Sequence, residues 1–318
     1  MANILDQFVS DCQRENLLIL YAQVRQGGAV IGQWSRFGKG SGNGLSAFSG
    51  VSRMESYSLT KSFSSVGIGI AIDEGLISLD EKVADSFKDY TYAINDPRVL
   101  DVTVEDMLKM ASGLSNPLFF RDSPERATVK DWIKHFFDHG DFSKTRGKDF
   151  LYSNFNPYML GCLVEIKTGR NLLEYMRYRL FEPLGIGNPD MTMCPMGHTV
   201  AANGMAINVD ELGRFGQMVL QQGLYNGKRV VSSEFIKAAT SAQIATKVPD
   251  YTDPNEGTLD YGYQFWVDSA HRCSFLFGVF GQFCVISPEK DAVISVLALE
   301  ERDARIGKYI WEDILFRL

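Results

Sequence analysis

Ser58 and Lys61 stand three residues apart in "RMESYSLTKSF" (53–63), at the head of the apolar run "FSSVGIGIAIDEGL". On a helix, positions i and i+3 share a face, so both side chains would point the same way. A serine hydroxyl is a poor nucleophile until a base takes its proton. Lysine serves as that base only when its pKa falls well below about 10.4, and burial has that effect. The run after Lys61 is apolar enough to bury its stem. The plainer alternative is a serine N-cap followed by a surface lysine, and the tetrapeptide alone does not choose between them.

A second group follows in "GKDFLYSNFNPYMLGCLVEIKTG" (147–169), which contains Tyr152-Ser153-Asn154. A phenol acts as base or proton relay when a nearby ammonium lowers its pKa. An amide such as Asn154 can orient a lysine and a substrate amide at once. Read plainly, the same residues are a loop tyrosine and a helix-capping asparagine. His135 and His139 in "HFFDH" have the i, i+4 spacing of zinc proteases, but Phe136 stands where the glutamate should follow. They read as core or solvated histidines, and no metal or cofactor is expected. "GLSAFSG" (44–50) is not the Gly-x-Ser-x-Gly of an α/β-hydrolase turn. The glycine-rich "FGKGSGNGLSAFSG" (37–50) lacks the Gly-Lys-Ser/Thr of a phosphate loop, and it reads as a mobile surface loop.

The elements that must position these groups are legible in outline. "LLILYAQVRQGGAVIGQWSRFG" (17–38) is a hairpin about Gly27-Gly28, preceded by an amphipathic segment. "FCVISPEKDAVISVLAL" (283–299) is strand–turn–strand, and "RIGKYIWEDILFRL" (305–318) a terminal helix. The middle is mostly helical. Thr103 and Asp106 form a capping box, Asn208 caps a helix closed by Gly223, and "NPYMLGCLVEIKTG" ends at Gly169. Both chain ends thus build one sheet, and the middle forms a second lobe. The expected division is 1–79 with 256–318 as an α/β lobe, and 80–255 as a helical lobe, with the site between them.

The 318 residues are 45% apolar and 22% charged, an ordinary globular composition, and no apolar run is long enough to span a bilayer. The net charge of −7 and the lack of basic runs interleaved with aromatics argue against nucleic-acid partners. Five widely spaced cysteines, an odd count without Cys-x-x-Cys, read as buried free thiols in a reducing compartment. The N-terminus shows no basic n-region or apolar h-region, so the expected location is cytoplasmic, with a trimmed leader as the alternative. The expected partner is a small-molecule or peptide substrate; oligomeric state is not legible.

Together these segments resemble the serine β-lactamase and penicillin-binding-protein superfamily, in its class C-like and esterase branch. "MESYSLTKSF" resembles its nucleophile motif, "MASGL" (110–114) its helical-lobe signature, and "RGKDFLYSNFNPYMLGCLVEIKTG" its Tyr-x-Asn segment. "PLGI" (183–186), "NGMAINVDELGRFGQMVLQQGLYNGKRVVS" and "YGYQFWV" (261–267) are similar too, in the expected order over nearly the whole chain. The resemblance implies a β-lactamase-like α/β fold: an antiparallel sheet from both chain ends flanked by helices, plus a mostly helical lobe. It makes Ser58 the nucleophile, Lys61 its base partner, Tyr152 the proton relay to the leaving group, and Asn154 a substrate-positioning residue.

The third motif of that family, Lys-Thr-Gly or His-x-Gly on a pocket strand, departs from pattern. The chain's own Lys167-Thr168-Gly169 reads as a helix C-terminus instead. The counterpart should lie in "DSAHRCSFLFGVFGQF" (268–283). Placing Gly278 on the motif glycine puts Leu276 and Phe277 where a cation and a hydroxyl belong, with Gly281 as a competing register. The backbone N–H groups of Val279 and Ser58 would then form the oxyanion hole. A missing cation removes a charge-assisted contact to a substrate carboxylate, about 1.5–3 kcal/mol. This points to a weak β-lactamase at best and to neutral esters or amides, unless His271 or Arg272 supplies the charge. The alternatives are a catalytically retired peptide-binding or scaffold protein and, further off, a DD-peptidase.

Overall fold

In the computed structural model, residues 4–37, 52–92, 94–249 and 257–318 are described. The glycine-rich stretch lies almost wholly outside them. Period-two patterning at the chain ends produces one eight-stranded antiparallel sheet. Its strands run, edge to edge, Ala29–Ser35, Ile19–Gln26, Ala292–Ala298, Gln282–Ser287, Cys273–Gly278, Trp266–Asp268, Thr258–Tyr261 and Ile244–Pro249. The first hairpin turns at Gly27 (φ 57°) and Gly28 (φ 79°), left-handed values that suit glycine. The N-terminal strand then pairs with the last one, Ala22 opposite Val296 and Val24 opposite Ile294, which closes the two chain ends into one layer.

The central strands are buried on both faces, so they read as continuous apolar runs. One face (Ala22, Val24, Phe275, Phe283, Val285, Ile294) packs under the helix Asp6–Arg14 and the C-terminal helical segment carrying Ile306, Ile310, Trp311 and Ile314. The opposite face, carrying Leu276, Cys284, Ile286 and Val293, joins the larger core of the helical lobe.

Two parts of the expected helical lobe attach to the sheet instead. The strand Ile244–Pro249 forms its far edge, so the sheet begins earlier in the chain than residue 256. The helix Val209–Leu220, capped by Asn208 and Glu211 as its sequence predicts, lies across the central strands. Glycine explains that close seat: a Cβ on Gly216 would come within 2.5 Å of Val293 Cγ1 and 2.8 Å of Cys284 Sγ.

The helix Thr60–Asp73 runs through the middle and is buried on every side from Thr60 to Ala71. Two of its hydroxyls tie it to the loop beside it. Ser62 Oγ donates to Gln264 O at 2.6 Å, and Ser65 Oγ to Tyr263 O at 2.7 Å. Gly67 and Gly69 admit Met176 and Phe235 against the backbone. All five cysteines are buried free thiols. No helix among the described residues is long and apolar enough to cross a membrane.

Candidate active site

Ser58 lies in a single 3-10 turn, Tyr57–Leu59, that runs directly into the buried helix. The turn is stapled from both sides. Ser56 Oγ donates to Met205 O at 2.9 Å, and Thr60 Oγ1 donates to Tyr57 O at 2.6 Å. Tyr57 is held at φ 49°, a left-handed value uncommon for a bulky side chain. Backbone held in such a region persists only where its surroundings over-determine it, as this staple does.

Lys61 sits one turn on, 1% exposed. Its Nζ lies 3.1 Å from Ser58 Oγ, 2.8 Å from Asn154 Oδ1 and 2.9 Å from Ala202 O. No carboxylate is among these partners. Burial without a counter-charge drives the Lys61 pKa down from 10.5 to about 7. A neutral amine there has two N–H bonds to give, to Asn154 and Ala202, and one lone pair to accept the Ser58 hydroxyl proton. The surface-lysine alternative is therefore excluded by position.

Tyr152 places its ring centroid 4.7 Å from Lys61 Nζ. It stacks on Trp266 (6.0 Å, 18°) and meets Tyr261 edge-on at 6.3 Å. Burial pushes its phenol well above the usual tyrosine range, while a hydrogen bond with Ser58 pulls weakly the other way. The phenol thus keeps its proton near neutral pH, which suits a donor rather than a base. Asn154 occupies the N-cap of the helix Phe155–Thr168, yet its side chain caps nothing. Ser153 Oγ takes that work by accepting from Phe155 N–H at 3.1 Å, and the Asn154 amide is left for Lys61.

The "MASGL" segment braces the Tyr152–Asn154 segment. Met110, at φ 59°, accepts from Leu151 N–H through its carbonyl, while its Sδ accepts from Ser153 N–H and Asn156 Nδ2. Lys167-Thr168-Gly169 ends the helix, with Gly169 at φ 67° and Lys167 paired to Glu81 at 2.6 Å, far from any catalytic duty.

The strand Cys273–Gly278 ends against the turn that carries Ser58. A Cβ on Gly278 would come within 2.3 Å of Ser56 O, so only glycine lets the strand approach so closely. Gly281 belongs to the following hairpin turn, at φ 83°. Val279 comes just past the last ladder pair, Gly278 with Gln282, and is 44% exposed. Leu276 is buried in the inter-lobe core, and Phe277 faces the other side, where it packs on Phe283 at 5.0 Å. No charge enters from this strand. His271 and Arg272 do not replace it: they precede the strand's opposite end, about 20 Å away at roughly 3.3 Å per residue. His271 pairs with Asp268 at 2.7 Å and Arg272 with Glu289 at 3.3 Å. His135 packs among His139, Phe119 and Phe155, and no group of His, Cys, Asp or Glu among the described residues could hold a metal.

Sequence reasoning missed the Ala202 carbonyl and Gln264. Gln264 Nε2 donates to the carbonyls of Met107 and Leu108, and its own carbonyl holds Ser62. A backbone acceptor leaves no signal in the sequence.

A β-lactamase family model matches residues 5–315. A 6-aminohexanoate-dimer hydrolase of Paenarthrobacter ureafaciens is 25% identical over 260 residues, 76% of this chain and 64% of that protein. The chain spans 58% and 64% of the length of two curated relatives it matches. Among crystal structures, a penicillin-binding protein homologue from Caulobacter crescentus superposes with TM-score 0.72 at 17% identity, over 98% of this chain and 96% of that one. A family VIII carboxylesterase superposes with TM-score 0.70 at 17% identity, over 98% and 96%.

Proposed function

We propose, of a chain that belongs to the β-lactamase family, that it is a serine hydrolase working through an acyl-enzyme on esters or amides. The observation that carries this is Lys61: an amine at 3.1 Å from Ser58 Oγ, buried, with no carboxylate to keep it charged. Lys61 takes the Ser58 proton as Oγ bonds to the substrate carbonyl carbon, and the carbonyl electrons move onto oxygen. The N–H groups of Ser58, in the 3-10 turn ahead of the helix, and of Val279 receive that oxyanion. As the tetrahedral species collapses, the bond from the carbonyl carbon to the leaving group breaks, Tyr152 gives its proton to the leaving group, and the tyrosinate recovers a proton from the neighbouring Lys61 ammonium. Water, activated by the same pair, then cleaves the acyl ester.

Leu276 offers no charge for a carboxylate on the leaving side, which favours ester or amide substrates that are neutral there and disfavours β-lactams. The curated relative named a 6-aminohexanoate-dimer hydrolase supports hydrolysis as the reaction class.

The test is intact-protein mass after incubation with a fluorophosphonate and, separately, with a penicillin. A fluorophosphonate adduct on the wild type that is absent from Ser58→Ala is expected, with little or no penicillin adduct. No adduct with either probe would overturn the reading and leave a retired, binding-only site. A rapid penicillin adduct would move the substrate class towards lactams and peptides.

A further inference from the structure

The peptide that joins Tyr57 to Ser58 is held by a neighbouring hydroxyl. Its carbonyl oxygen, Tyr57 O, accepts from Thr60 Oγ1 at 2.6 Å. A trans peptide is planar, with its C=O and N–H pointing in opposite directions, so whatever holds Tyr57 O also aims the Ser58 N–H. Helix geometry does not do this unaided, because Tyr57 sits at φ 49°, outside the right-handed helical region. No backbone hydrogen bond among the described residues uses the Ser58 N–H, as expected where a helix begins.

A threonine that bonds back to a carbonyl three residues earlier is common in helices, and alone it would mean little. Here the hydroxyl is fully buried and has a second partner on a distant segment. It has one proton to give, which goes to Tyr57 O, and it accepts in turn from Met205 N–H at 3.3 Å. Met205 opens the strand Met205–Ile207, which pairs with Met54–Glu55 just ahead of the turn. Ala202, three residues before Met205, accepts from Lys61 Nζ at 2.9 Å. Residues 202–205 therefore hold the amine through Ala202 O and the Tyr57–Ser58 peptide through Thr60. Base and oxyanion donor are referred to one frame, and the Thr60 hydroxyl is the link to the second.

We infer that Thr60 is a positioning residue of the oxyanion hole: its hydroxyl, bonded to Met205 N–H and to Tyr57 O, fixes the peptide plane that directs the Ser58 N–H at the substrate oxygen. The consequence for catalysis rests on the serine-hydrolase reading; the orientation of the peptide does not.

Thr60→Val keeps the side-chain shape and removes the hydroxyl, leaving the backbone N–H of residue 60 as the remaining hold on Tyr57 O. With p-nitrophenyl butyrate, kcat should fall about ten- to a hundredfold while KM changes by less than about threefold, as a displaced oxyanion donor implies. The pH limb near 7 should stay in place, since Lys61 keeps Asn154 and Ala202 O. Thr60→Ser, which keeps the hydroxyl, should recover most of kcat. Ser56→Ala removes a hydroxyl of the same buried network that donates to Met205 O and not to Tyr57 O, and it should lose much less than Thr60→Val. Each kcat is taken per site titrated to completion with a fluorophosphonate, so unfolded chains do not count. A wild-type kcat in Thr60→Val, or a fall of the same size in Thr60→Ser or Ser56→Ala, would overturn the inference. If Thr60→Val yields no folded protein, Thr60→Cys replaces it with the same outcomes, since a thiol is only a weak donor. Turnover that persists in Ser58→Ala, or none in the wild type, removes the serine-hydrolase reading instead. A crystal structure of Thr60→Val then decides: a turned Tyr57–Ser58 peptide upholds the positioning role, and an unmoved one overturns it.

Discussion

Lys61 and Tyr152 share one low-dielectric space, and burial acts on them in opposite senses. It favours the neutral form of each, so the amine gives up its proton and the phenol keeps one. An acid and a base for neutral pH thus arise without a carboxylate or a histidine. Acylation should gain with pH along a limb centred near pH 7, the Lys61 value. Stopped-flow acylation by an activated ester from pH 5 to 9 checks this, and a flat profile would remove Lys61 as base. The same shift has a thermodynamic face. The folded value, about 7, lies below the reference of 10.5, so between them the unfolded chain binds more protons and stability rises with pH. The difference in Tm between wild type and Lys61→Met should therefore move in the wild type's favour from about pH 7 to about pH 10. Tyr152→Phe should cost about 10²–10⁴-fold on amides and poor-leaving alkyl esters, but much less on p-nitrophenyl esters, whose leaving group needs no proton. An equal loss on both would make Tyr152 a packing residue.

At the scale of elements, the site depends on how closely three segments approach. The 3-10 turn Tyr57–Leu59 and the helix Thr60–Asp73 that continues it supply Ser58 and Lys61, the Tyr152–Asn154 segment is braced by Met110, and the strand ending at Gly278 closes the third side. Gly278→Ala would put a methyl within 2.3 Å of Ser56 O, a backbone atom that already accepts from Leu59 N–H at 3.2 Å. Strand or turn must move. The expected outcome is destabilisation by about 1–3 kcal/mol together with a fall in kcat, because the oxyanion donors separate. Urea unfolding alongside steady-state kinetics checks it; wild-type values for both would place the third motif elsewhere.

For the whole molecule, the two chain ends meet on one face of the sheet, and there two carboxylates come together. Burial and the neighbouring Asp11 charge raise Asp313 to about 6, while hydrogen bonds from Gln7 and Arg14 hold Asp11 below the usual carboxylate range. Asp313 Oδ2 is buried without a partner. With the folded value above the reference of 3.8, the folded state binds more protons between them. This contribution to stability is present at about pH 4 and lost as pH rises through about 6. Asp313→Asn should therefore unfold at a higher Tm than the wild type at pH 7, by an amount equivalent to about 1–3 kcal/mol, and the two should converge at about pH 4. A constant difference across pH would mean that Asp313 does not titrate in this range.

What the sequence determined by itself is what short chain separation controls. The i, i+3 placement of Ser58 and Lys61, the Thr103 and Asn208 caps, the Gly27-Gly28 turn and the Gly169 helix end all follow from hydrogen bonds and dihedrals within a few residues. The order of segments carried the fold class as well. Tertiary structure alone decided that Lys61 is buried without a counter-charge, that Ala202 O is its third partner, and that Asn154 leaves the capping of its helix to Ser153 and reaches Lys61 instead. It also decided that Gly278 rather than Gly281 abuts the turn that carries Ser58, and that Val209–Leu220 and Ile244–Pro249 belong with the sheet. The reason is common to all of these. Burial, and the pKa values that follow from it, are set by atoms that meet across roughly a hundred or more residues of chain, and neither the identity of a residue nor its neighbours in sequence records which those atoms will be.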